Sequence, residues 1–377
     1  MTRVVITGGG TGGHIYPALA IAQGLKQGWP GTEILFIGAK GSMESRIAPE
    51  AGFHFHGISA AGWQGRKPLT LVKALAIDYK GFREASVMLK SFKPKCVIGT
   101  GGYVSLPVGL AASVKGIPVY IHEQNALPGL TNKLIALKAK RIMLSFEEAA
   151  GRFPLSCGKK TVLTGLPVRE SIINASADEA YDFFNLDRSR KTIAVMGGSQ
   201  GAAAINRAML HIIKTLYQSE ECQIIIAAGI RDYRMMTHEL TDAGIKWDPG
   251  AGRESNIRMY PYMDRMDLAY AIADIFIGRS GASTMAEITL RGLPAILIPL
   301  PHSAENHQFF NAESLVNRGG AVIIEDKKLS GPVLLDALRE LLADGERLSA
   351  MSACSYRASH SGALEKIMDV LKEVMDS

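Results

Sequence analysis

Two rounds of one alternation, short apolar runs separated by longer amphipathic stretches, leave few folds open to this chain. In the first round the runs are Arg3–Thr7, Glu33–Ile37, Cys96–Gly99, Pro118–His122, Arg141–Leu144 and Lys160–Leu163. The pattern restarts with Thr192–Met196, Gln223–Ala227, Ile257–Tyr260, Ile275–Ile277, Ala295–Pro299 and Ala321–Ile324. Strands that alternate with helices predict parallel sheets covered by helices. The expected fold class is α/β: two Rossmann-like domains whose parallel sheets face one another across a cleft. Residues 1–165 form the first domain and 166–354 the second, with the linker near Gly165–Pro167. A last helical region, Ser349–Val374, caps the second domain or crosses back to the first, and 355–377 is its candidate crossing segment. Ligands of such sheets bind beyond the carboxyl ends of the strands.

Glycines stand where those strands end. Gly8-Gly9-Gly10-Thr11-Gly12-Gly13-His14 follows the first strand and opens a helix; Gly99-Thr100-Gly101-Gly102-Tyr103 follows the third. Gly197-Gly198-Ser199-Gln200-Gly201 follows the first strand of the second half. Small residues let backbone N–H groups approach an anion at a helix N-terminus, where the dipole favours negative charge. The competing reading is that the glycines only tighten strand-to-helix turns; three such loops together favour phosphates on both substrates. The first loop also matches the dinucleotide fingerprint. Its second strand, however, ends in Gly38-Ala39-Lys40, without the acidic residue a nicotinamide ribose requires.

His14 follows an anion loop at a helix start, where an imidazole can take a proton near neutral pH; a capping or packing role is the alternative. In Arg279–Glu287 small residues open a helix carrying Glu287, placed either to accept from ribose hydroxyls or simply to complement the helix dipole. His302, Glu305, His307, Gln308 and Asn311 form a polar stretch after an apolar strand, without metal-ligand spacing. No Asp-x-Asp occurs. No metal site and no bound cofactor are therefore expected.

Charge divides the chain unevenly. Residues 1–165 carry 20 Lys and Arg against 8 Asp and Glu, the remainder 22 against 28, within a net +6. A basic half suits an anionic partner, or merely keeps the domain soluble. Lysines without interleaved aromatic residues give nucleic-acid binding little support. The four cysteines are widely spaced and are expected as free thiols of a reducing compartment. No apolar run approaches the ~20 residues that span a bilayer, and the N-terminus does not read as a signal peptide. Between Arg66 and Lys95, Val72, Leu75, Tyr79, Phe82 and Leu89 recur at helical spacing and are expected in the core first. Lys73, Lys80 and Arg83 lie among them, a basic surround suited to an anionic membrane surface.

Seven segments in order resemble one family, the UDP-GlcNAc:lipid-linked muramyl-pentapeptide N-acetylglucosaminyltransferases (MurG) of bacterial cell-wall synthesis. They are Thr7–Pro17, Gly99–Ser105, His122–Asn125, Gly165–Arg169, Gly197–Gly201, Arg279–Glu287 and His307–Ala312. The resemblance implies a GT-B fold and inverting transfer of GlcNAc from UDP-GlcNAc to the muramyl 4-hydroxyl of lipid I. It further implies a peripheral protein on the cytoplasmic face of the inner membrane. Carried over residue by residue, Arg169 and Ser199, with Gly198 beside it, hold the donor pyrophosphate. Glu287 holds the ribose, the backbone beside Met263 the uracil, and Ala282, Ser283 and Thr284 line the nucleotide site. Gln308, Thr11 and Asn125 reach the sugar, Gly12 and Gly13 form the acceptor loop, His14 is the candidate general base and Glu123 a helper. A UDP-GlcNAc 2-epimerase, which shares this fold and donor, is the alternative, and it has no use for the acceptor loop.

Overall fold

The structure, a computed structural model, describes residues 2–62, 68–198, 201–247, 255–301 and 303–377, without the side chains of 68–71 and 304. The chain divides into two compact units, 1–167 with 360–377, and 168–359.

In the first unit a seven-stranded sheet has the order β3-β2-β1-β4-β5-β6-β7. Its strands are β1 (Arg3–Gly8), β2 (Glu33–Ala39), β3 (His54–Ile58), β4 (Cys96–Gly101), β5 (Val119–Glu123), β6 (Arg141–Leu144) and β7 (Thr161–Leu163). All neighbours pair in parallel. Helices α1 (Gly12–Gly28), α2 (Glu44–Glu50), α3 (Pro68–Phe92), α4 (Ser105–Val114) and α5 (Leu130–Ala136) make the crossovers. The central strands are apolar along their whole length because both faces are covered: Val4, Val5, Ile6, Val97 and Ile98 are fully buried.

The second unit repeats the design with six strands in the order β10-β9-β8-β11-β12-β13. These are β8 (Lys191–Met196), β9 (Cys222–Ala227), β10 (Ile257–Tyr260), β11 (Ile275–Gly278), β12 (Ala295–Leu297) and β13 (Ala321–Ile323). Around them lie α6 (Glu170–Ile173), α7 (Ala177–Phe184), α8 (Ala203–Leu216), α9 (Ile230–Asp242), α10 (Met266–Ile272), α11 (Ala282–Leu290), α12 (His307–Asn317), α13 (Gly331–Ala343) and α14 (Gly345–Arg357). A final helix, α15 (Ala363–Met375), returns to the first unit and packs on α1, burying Ile367, Leu371, Val374 and Met375.

Strand order reverses direction between β1 and β4 in one unit and between β8 and β11 in the other. Ligands of open parallel sheets bind at such switch points. All three glycine loops and the Arg279–Gly281 loop follow these four strands.

Three expectations need correction. Strand β3 has no counterpart among the expected runs. Among the described residues it pairs with β2 alone and it is half exposed, so His54, His56 and Gly57 suffice where a central strand would need aliphatic residues. The helical region Ser349–Val374 is two helices, broken over Ala358–Gly362, where Gly362 adopts φ +66°. The apolar stripe of α3 is not mainly core. Ala85 and Leu89 are buried, whereas Val72 (65%), Tyr79 (65%) and Leu75 (49%) stand exposed.

Candidate active site

In the first unit the glycines of the first two loops are required by the contact of one loop with the other. A Cβ on Gly102, at φ +80°, would lie 2.1 Å from the Gly9 carbonyl oxygen, and one on Gly8 would lie 1.8 Å from Thr100 Oγ1. The Gly9 N–H donates to the Gly101 carbonyl at 3.3 Å. The Gly10 N–H donates to Glu44 Oε2 at 3.1 Å, while Glu44 Oε1 accepts from the Ala39 N–H at 3.0 Å. Glu44 is 1% exposed. Its carboxylate therefore ties the Gly10 N–H of this loop to the end of β2. The start of α1, at Thr11, Gly12 and Gly13, follows directly. Thr11 is the exposed N-cap residue there, and its side chain makes no capping bond.

His14 follows in the first turn of α1, half buried, with its carbonyl accepting from Thr100 Oγ1 at 2.9 Å. Its Nδ1 lies 2.9 Å from Gln124 Oε1. Its ring also lies beside Gly101, where a Cβ would meet the imidazole at 3.1 Å and Asn132 Nδ2 at 3.3 Å. Glu123, the expected helper, is engaged elsewhere. Its Oε1 accepts from the Asn125 N–H (3.0 Å) and its Oε2 from the Gly129 N–H (3.2 Å) and Asn132 Nδ2 (2.8 Å). Such a carboxylate shapes the Asn125–Gly129 turn and holds Asn125 in place. The partner of His14 is the next residue, Gln124, which lies in the His122–Asn125 segment and carries no local signal of this role.

In the second unit Glu287 sits in α11, nine-tenths buried, with Oε1 3.4 Å from Arg169 Nη2. Burial pushes its carboxyl above the usual range and the Arg169 guanidinium opposes the shift. The buried Tyr270 phenol, raised by burial and then by the charge of Glu287, lies on the same side. Arg169 is 58% exposed, free to turn toward a second anion. Among the described residues no side chain caps the helix starts of α8 and α11, at Ala202 and Gly281. Gly198, exposed at φ +86°, accepts from the Gly201 N–H at 2.9 Å, while Ser199 lies outside the described residues.

Ala282 is buried and Ser283 and Thr284 are half buried in the first turn of α11. Ser280 Oγ donates to the Gln308 carbonyl at 2.7 Å, and Asn311 Nδ2 to the Ser280 carbonyl at 3.2 Å, so α12 is tied to this loop. Gln308 Oε1 accepts from the Leu300 N–H at 3.0 Å, which leaves its Nε2 as the group to meet a ligand. Met263 is buried after β10. Of the polar stretch, His302 lies outside the described residues. Among the described residues no three His, Cys, Asp or Glu side chains gather to hold a metal ion.

Helix α3 is pinned to the chain after β3. A Cβ on Gly81 would lie 1.9 Å from the Ser59 carbonyl oxygen, Glu84 accepts from the Ser59 N–H, and Asp78 from the Ala61 N–H. Its outer face presents Lys73, Lys80 and Arg83 with Val72, Leu75, Ile77 and Tyr79, all exposed. Among the described residues no helix is long and apolar enough to cross a membrane.

Residues 4–144 match the glycosyltransferase family 28 N-terminal domain and residues 192–371 the family 28 C-terminal domain. The chain is 44% identical over 375 residues to the UDP-N-acetylglucosamine--N-acetylmuramyl-(pentapeptide) pyrophosphoryl-undecaprenol N-acetylglucosamine transferase of Moorella thermoacetica, covering 100% of each. It is 43% identical over 371 residues to that of Halothermothrix orenii, covering 98% of each. Among solved structures, MurG of Acinetobacter baumannii superposes with a TM-score of 0.78 at 28% identity, covering 99% of this chain and all of that one. The UDP-GlcNAc 2-epimerase of Neisseria meningitidis reaches 0.66 at 14% identity, a likeness of fold alone. The two parallel sheets are thus those of the GT-B fold.

Proposed function

The chain belongs to glycosyltransferase family 28, and within it to the MurG transferases, and on that footing we propose how its residues divide the work. It transfers GlcNAc from UDP-GlcNAc to the lipid-linked muramyl-pentapeptide, lipid I, forming lipid II. The observation that carries this reading is identity of 44% along the whole length of a relative so named.

The first unit takes the acceptor and the second the donor. The acceptor 4-hydroxyl attacks the anomeric carbon as the bond from that carbon to the UDP oxygen breaks, with inversion. The hydroxyl proton passes to His14 and the bonding pair leaves with UDP. One in-line displacement needs one base and no covalent enzyme intermediate. The charge that grows on the diphosphate meets Arg169 and the uncapped N–H groups that begin α8 and α11, Gly198 and Ser199 lying just ahead of the first. Glu287 accepts from the ribose hydroxyls, and the backbone beside Met263 reads the uracil. Ala282, Ser283 and Thr284 line the nucleotide, while Gln308 Nε2, Thr11 and Asn125 meet the sugars. Gly12 and Gly13 let the acceptor approach the start of α1. Glu123 shapes the turn that carries Asn125. These groups stabilise the leaving UDP through hydrogen bonds and fixed charge, so no metal ion and no cofactor is required.

The lipid tail of the acceptor calls for a membrane surface. The exposed Lys73, Lys80 and Arg83, interleaved with exposed Val72, Leu75 and Tyr79, suit docking on the anionic cytoplasmic leaflet as a peripheral protein. Nucleic acid has no part in this reading.

The test incubates the protein with radiolabelled UDP-GlcNAc and a lipid I analogue, beside samples without acceptor and with His14→Ala. Label entering lipid only with acceptor, and collapsing in the variant, is the expected result. Conversion of UDP-GlcNAc without acceptor would instead identify an epimerase.

A further inference from the structure

Four hydrogen bonds run from the His14 ring into the buried end of the first sheet, and each donor and acceptor follows from the one before it. At the far end the Gly165 carbonyl oxygen lies 2.9 Å from His122 Nε2. A carbonyl only accepts, so His122 Nε2 carries the hydrogen. His122 is fully buried, which pushes its pKa down to about 4. The ring is therefore neutral near pH 7 and its Nδ1 is a bare acceptor. Gln124 Nε2 lies 3.0 Å from that Nδ1 and 2.7 Å from the His122 carbonyl oxygen. Two acceptors on one side require the NH2 end of the amide there, so Gln124 Oε1 faces His14. Gln124 is 1% exposed, and reversing its amide would set an oxygen against two acceptors in a dry environment. Oε1 in turn only accepts, so the hydrogen between it and His14, across 2.9 Å, belongs to His14 Nδ1.

We infer that Gln124, itself oriented by His122 and the Gly165 carbonyl, is a positioning residue that holds His14 in the Nδ1–H tautomer, with the Nε2 lone pair presented to the acceptor hydroxyl. This inference rests on His14 being the base. An amide suits the task better than a carboxylate. It sets tautomer and ring orientation through one neutral hydrogen bond whose acceptor cannot be anything but Oε1. After transfer, the proton sits on Nε2, and the Nδ1–H bond to Oε1 becomes charge-assisted. The relay also gives Gly165 a reason to be glycine: at φ +86° a Cβ there would lie 2.4 Å from His360 Cβ, and the carbonyl that orients His122 would move with the backbone.

The experiment labels the histidines of the full chain with 15N and reads the ring shifts at neutral pH, assigning His14 by its disappearance in His14→Gln. The expected wild-type pattern is a pyrrole-like Nδ1 and a pyridine-like Nε2 for His14. In Gln124→Met, which keeps the volume but removes the amide, His14 should mix tautomers. Its kcat should fall by about tenfold or more, the order a misdirected general base costs, while KM for the donor stays within about twofold. A wild-type His14 protonated on Nε2 would overturn the relay whether or not any variant folds, and so would an unchanged kcat in Gln124→Met. Full activity in His14→Ala would instead remove the base assignment on which the relay depends.

Discussion

Acidification should weaken the first unit at His122 as the pH falls from about 6.5 toward 4. The unfolded chain takes a proton on this imidazole near the ordinary value of 6.5, whereas burial delays protonation in the native state to about 4. Between those values the unfolded state binds more protons, so stability falls as pH falls, and below about 4 the loss is complete. At about 1.4 kcal/mol per pH unit the gap amounts to about 3 kcal/mol. That is a substantial share of the 5–15 kcal/mol typical of a whole domain. Protonation also turns His122 Nδ1 from an acceptor into a donor facing the Gln124 amide, so the relay and the fold fail together. The assay is urea unfolding at pH 7, 6, 5 and 4, read by hydrogen exchange of β5 peptides in wild type and in His122→Asn. Carboxylate effects are common to both proteins and cancel in the difference. The stability advantage of wild type should shrink by about 3 kcal/mol from pH 7 to pH 4. An advantage constant across that range would refute the reasoning.

In the second unit the sign is reversed. Glu287 has its pKa raised by burial, so its native-state penalty is absent in acid and develops as pH rises through the raised value. Glu287→Gln should therefore melt no lower than wild type at neutral pH. It should nevertheless bind UDP about tenfold or more weakly, since charge-assisted bonds to the ribose contribute ~1.5–3 kcal/mol; titration calorimetry beside a melting curve checks both, and undiminished UDP binding would count against the ribose role. Reversing Lys73, Lys80 and Arg83 to glutamate removes up to ~1 kcal/mol of attraction at each position and adds repulsion. Sedimentation with vesicles rich in anionic lipid should show binding lost, and binding equal to wild type would dispose of this docking face.

How much of this was legible beforehand follows from the range of the interactions involved. Strand β1, its glycines and the start of α1 lie within a dozen residues of one another, so the position of His14 at a helix start could be read locally. Glu44 reaches Gly10 across 34 positions and Gln124 reaches His14 across 110, and neither leaves a periodic trace. A glycine needed for backbone contact, as Gly8 and Gly102 are, looks the same in the sequence as one needed for phosphate. Strand β3 escaped notice because an edge strand needs only one apolar flank. On α3 the period alone could not tell a stripe facing the core from one facing outward. Val72, Leu75 and Tyr79 share the helical spacing of Leu89 yet stand exposed where it is buried.

The return of α15 to the first unit sets an order of assembly during translation. Ile367, Leu371, Val374 and Met375 share a core with Ile15, Leu25 and Phe36, yet more than three hundred residues are synthesised between the two sets. Domains ordinarily fold as they emerge, the first made first. Here the whole of 168–359 leaves the ribosome before the last helix is available to cover α1, so the half begun earliest is completed last. Until α15 is made, the first unit exposes the apolar flank that Ile367, Leu371, Val374 and Met375 will seal.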